Sequence, residues 1–141
     1  MRKIDRLIMD IESHLKKSLH HLEYSYNKVI KLSINVDEMD EEVLETWESF
    51  ASRFARTSDI FLMKYLKAKI KQSDPGFHGT FRDYLNEAEK IKLIDEASVW
   101  MNIREIRNIS AHDYSESNLQ QIFETLKKLA PILLNVKKLL L

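Results

Sequence analysis

Only two glycines and two prolines interrupt the 141 residues of this chain, so it has few places to turn sharply. Glycine reaches backbone conformations barred to other residues and proline removes a helical donor, so scarcity of both favours long, unbroken helices. Pro75, Gly76 and Gly79 all fall within residues 73–80 (SDPGFHGT), which read as a loop. Pro131 instead lies inside an apolar helical pattern, where it should bend the helix.

Apolar spacing agrees with this reading. Ile4, Ile8, Ile11, Leu15, Leu19, Leu22, Tyr26 and Val29 step by three or four, which gives one amphipathic helix about 45 Å long. A turn at 35–40 follows. The acids Asp37, Glu38, Asp40, Glu41 and Glu42 then cluster where the positive end of a second helix dipole would lie. That second helix carries Trp47, Phe50, Phe54, Phe61, Leu62, Tyr65, Leu66 and Ile70, with its stripe interrupted near Thr57 and Ser58. Thr80 and Asp83 have capping-box form and open a short helix through about Glu89. A fourth helix, with Val99, Ile103 and Ile106 on one stripe, runs from Asp95 to near Ser110. Ser117 and Gln120 resemble another capping box, ahead of a final helix that buries Leu119, Ile122, Phe123, Leu126, Leu129, Leu133, Val136 and Leu140. The expected fold is all-α, an antiparallel bundle of four to five helices with the first two and the last long, forming a single domain over 1–141.

Composition removes several function classes. Without cysteine there can be no disulfide, thiolate metal site, iron–sulfur cluster or cysteine nucleophile, which suits a reducing, cytoplasmic setting. Two glycines cannot write a Walker loop or a dinucleotide fingerprint. The 22 basic residues balance 22 acidic ones, so any anion site must be local. Residues 1–10 alternate charged and apolar side chains, unlike a signal or transit peptide, and no run approaches a membrane span. His14, His20 and His21 include no i, i+4 pair, so no metal site is expected, and no cofactor. The basic run Arg53, Arg56, Lys64, Lys67, Lys69 and Lys71, with Asp59 as its only acid, reads as an exposed helix face or as a guide for RNA.

The chemically distinctive segment is 106–115 (IRNISAHDYS), which holds Arg107, Asn108, His112 and Tyr114. Arg107 lies about 70° from the centre of its helix's apolar stripe, on the side of Trp100, and is therefore half sheltered. A sheltered guanidinium needs an anionic or carbonyl partner, since its donors are costly to strand; a phosphate would serve. On a continuous helix His112 would point about 140° from Arg107, but a helix end there can turn the imidazole back. An arginine and a histidine around one phosphate are the minimum for metal-free RNA cleavage, and two copies of the joint across a two-fold axis would supply both base and acid. The plainer alternative is a helix-end arginine bonded to carbonyls and a histidine favoured by the helix dipole.

Arg107-Asn108-x-x-x-His112-x-Tyr114 resembles the signature of the HEPN superfamily, with the ending of its HepT-like toxin branch. Trp100 and the 50–57 segment are also similar to the related nucleotidyltransferase-partner branch. The resemblance implies a homodimeric, metal-independent endoribonuclease toxin whose cleft is formed by Arg107 and His112 of both protomers, with Asn108 in support. It also implies an MNT-type nucleotidyltransferase antitoxin that silences the toxin by attaching AMP to Tyr114. The superfamily includes non-cleaving members, so the alternative is a nucleotidyltransferase-binding, substrate-binding subunit.

Overall fold

The computed structural model describes residues 1–112 and 116–140, the side chains of His112, Glu116 and Ser117 excepted. Among the described residues all regular structure is helical. Helix α1 spans Lys3–Val29, and α2 spans Glu41–Asp59. A π-helical segment, Ile60–Tyr65, continues α2 directly into α3, Leu66–Ser73, so that 41–73 form one rod. Helices α4 (Phe81–Lys90), α5 (Ala97–His112) and α6 (Glu116–Leu134) follow, and α6 tightens into a 3-10 turn over Asn135–Leu140.

Local chemistry sets these ends. The Asp40 carboxylate accepts from the Val43 amide at 2.8 Å and caps α2. Thr80 and Asp83 form the expected capping box, each side chain accepting the other's backbone N–H. Gly79 is required beside it, because a Cβ there would stand 2.6 Å from the Asp83 Cβ. Two expectations shift by a residue or two. Helix α5 reaches His112 rather than stopping near Ser110. Helix α6 starts at Glu116, so Ser117 lies in its first turn rather than at its cap. Pro131 sits inside α6, and the tighter winding begins four residues later.

Contacts along the first two rods fall in reverse order. Asp5 meets Gln72, Ser18 meets Thr57, and Ser25 meets Arg53, which makes the pair antiparallel. Thr57, where the apolar stripe breaks, is buried with its hydroxyl 2.6 Å from that of Ser18. The interruption is thus a paired polar contact inside the helix interface. Trp47 stacks on Phe123 at 5.1 Å and joins α2 to α6, while Phe61 meets Trp100 at 4.8 Å and joins the π segment to α5. The wall of α5 is thereby fixed against the rod at the level of Asp59. No helix among the described residues is long and apolar enough to cross a membrane.

Candidate functional site at the end of helix α5

Arg107 is the focus of the site, and its neighbours in sequence explain its setting. Ile103, Ile106 and Ser110 are buried on the core side of α5, which leaves Arg107 on the shoulder that faces α2. There it meets Asp59, the last residue of α2. The Arg107 Nε donates to Asp59 Oδ1 and its Nη2 to Oδ2, both at 2.8 Å. Arg104, one turn earlier, donates from Nη1 to the same Oδ1 at 3.1 Å, and its guanidinium lies 5.8 Å from the Phe81 ring. Hydrogen bonding to Asp59 raises the Arg107 pKa above its ordinary value, against the opposing pull of desolvation. Arg107 is therefore charged at any working pH.

This constellation explains why Arg107 is sheltered. The anionic or carbonyl partner expected for it is, within the chain, the Asp59 carboxylate, held by parallel bonds that fix the plane of the guanidinium. Two arginines and one aspartate leave a net charge of +1 (2 − 1), so the cluster can still attract an anion through the donors that Asp59 does not use.

Asn108 is exposed on the other shoulder of α5. It lines a groove of about 820 Å³ between α5 and α6, together with Asn102, Glu105, Gln121 and Thr125. His112 closes α5 five residues after Arg107, so the two positions are about 140° apart around an uninterrupted helix. The His112 side chain lies outside the described residues, and so does Tyr114. Asp59 and Arg104 are the members that sequence reasoning missed. Asp59 had a signal, as the one acid in a basic run, and Arg104 stands a single turn from Arg107.

Comparison with known proteins adds the wider context. The family described as nucleotidyltransferase substrate binding protein like matches residues 11–140. The chain belongs to this family. The substrate-binding-like match contains the second rod, all but the first eight residues of α1, the Asp59–Arg107 pair and the motif segment. A curated relative, the probable ribonuclease HepT of Haemophilus influenzae, is 32% identical over 66 residues, covering 43% of this chain and 44% of the relative. The chain thus spans less than half the length of the curated relative it matches. Both similarities agree with the HEPN resemblance carried by residues 107–114.

Proposed function

We propose that this chain is the helical, substrate-binding subunit of a nucleotidyltransferase pair, a single HEPN-like domain over 1–141 that presents the end of α5 to its partner. The observation that carries this reading is the family match across residues 11–140, which takes in every helix from the third turn of α1 onward. Asp59 and Arg104 support it, because they fix Arg107 as a rigid, charged feature at the exposed end of a packed helix. Co-expression with a nucleotidyltransferase from the same source tests the pairing. The two proteins should co-elute on gel filtration; separate elution at micromolar concentration would count against it.

A second reading is favoured by the motif at 107–114 and by the ribonuclease relative. Here the chain is a homodimer, and Arg107 and His112 from both protomers cleave RNA without metal. The His112 imidazole of one protomer takes the proton from a ribose 2′-hydroxyl, the 2′-oxygen attacks phosphorus, and the bond to the 5′-oxygen breaks as the protonated His112 of the other protomer gives that oxygen a proton. Arg107, oriented by Asp59, stabilises the charge that develops on the phosphoryl oxygens. Asn108 supports the cleft, and AMP transfer to Tyr114 silences it. Labelled RNA incubated in EDTA discriminates the readings. Cleavage to 2′,3′-cyclic phosphate ends that is lost in Arg107→Ala and His112→Ala supports the ribonuclease, as does AMP on Tyr114. No turnover together with stable partner binding supports the substrate-binding subunit.

A further inference from the structure

A second groove lies between the N-terminal half of α1 and the rod that packs on it, with a volume of about 640 Å³. It shares no lining residue with the Arg107 cluster. Its floor is aliphatic, built from Ile4, Leu7, Ile11, Ile60 and Met63. Leu7 keeps 50% of its surface in solvent, so the described chain leaves this floor open. Lys64, Lys67 and Lys71 line the groove at i, i+3 and i+7 along the rod. None of the three forms an ion pair with a described residue, and Lys67 leans to 5.2 Å from the Tyr84 ring. Asp10 and His14 come from the α1 wall.

A floor of this kind discriminates among partners. Single-stranded nucleic acid would find phosphate contacts in the lysines but no Phe, Tyr or Trp on which to stack its bases. A helix with an apolar stripe would bury the open floor, and a groove between two helices has the shape to take a third. The three lysines span seven residues, about 10 Å of helix, which matches acids two turns apart on a partner.

We infer that this groove docks an amphipathic helix of a partner protein, with leucine-like residues on the aliphatic floor and acidic residues along the lysine wall. Asp10 sets the orientation by favouring a basic residue on the opposite flank of that helix. Met63 supplies an unbranched, adaptable contact on the floor. The inference rests on the pairing reading for the partner that carries the helix, the nucleotidyltransferase.

The test uses the full chain and a fluorescein-labelled synthetic peptide of about 18 residues, with leucines at helical spacing and glutamates along one flank. Anisotropy should report saturable binding that weakens about tenfold in Lys64→Glu/Lys71→Glu and about as much in Leu7→Asp. A peptide with lysines in place of the glutamates should restore binding to the charge-reversed variant. Circular dichroism melts verify that each variant is folded. Equal binding of a scrambled peptide, or failure of the swapped peptide to rescue, overturns the inference. So does a dimer-to-monomer shift of Leu7→Asp in light scattering, which would make the groove a contact between copies of this chain. Co-elution with the nucleotidyltransferase undisturbed by all three substitutions would discard the groove and leave the pairing intact.

Discussion

At the scale of single residues, a guanidinium at a helix shoulder needs a partner that offsets its partial loss of water. Asp59 answers that with two short parallel bonds, and Arg104 shares the same carboxylate. The Arg107 side chain is 23% exposed and that of Asp59 36%, so the pair is stronger than an isolated surface ion pair and weaker than a buried one. Asp59→Asn should therefore cost about 1–2 kcal/mol in urea unfolding, and Arg104→Ala should cost less because it removes one bond of the three. A substitution at Asp59 with no effect on the urea midpoint would show that the carboxylate is not holding the arginine. That Arg107 would need an anionic or carbonyl partner was legible from its helical position. The identity of that partner was not, because Asp59 is 48 residues away and only the tertiary fold brings it to α5. Asp5 gives a pH-dependent counterpart. The Gln72 side-chain amide and Arg2 hold its carboxyl below the usual carboxylate range. A carboxyl lowered in the folded state adds stability above its unfolded pKa and loses it as pH falls through the folded value. The stability gap between wild type and Asp5→Asn should thus be widest near neutrality and close towards about pH 3, as read from urea midpoints across that range. A gap that stays constant over the range would remove the linkage.

At the scale of elements, the long rods, the 73–80 loop and the Thr80 cap were all readable, because each depends on residues close in sequence. The π segment was not. Its residues keep apolar spacings of three and four, so no local breaker marks the wider winding, and the segment packs on α1 and meets α5 through Phe61 and Trp100. Helix α4 ends in a way that carries a prediction. Lys92 lies at φ 62°, its N–H donates to the Glu89 carbonyl at 3.0 Å, and the Leu93 N–H reaches the Ala88 carbonyl at 2.8 Å. This is the Schellman arrangement with lysine at the position that favours glycine. Lys92→Gly should raise stability by about 0.5–1 kcal/mol, since relief of the left-handed strain outweighs glycine's greater freedom in the unfolded chain. Thermal denaturation would reveal it as a higher midpoint; a lower one would mean that the Lys92 side chain contributes more than its backbone conformation costs. The turn matters to the site because it leads into α5, whose first amide, that of Ala97, donates to the Glu89 carboxylate at 2.7 Å.

At the scale of the molecule, two rods pack antiparallel, α5 lies against the second of them and α6 closes the core through Trp47 and Phe123. An antiparallel bundle was legible because each long helix carries one apolar stripe that has to be buried against another. What periodicity could not convey is the meeting of α2 with α5 at Asp59, nor the groove that the α1 and α3 walls leave open at Leu7. The Asp59–Arg107 pair lies within residues 11–140 of the family match, while Ile4, Leu7 and Asp10 of the groove precede it, and the function proposed for the chain is partnership with a nucleotidyltransferase. Affinity capture of the tagged chain from cells that make it at natural levels, followed by mass spectrometry of the washed complex, tests that partnership most directly. The account predicts a nucleotidyltransferase recovered in near-equal amount with the chain. Recovery of the chain alone would contradict it.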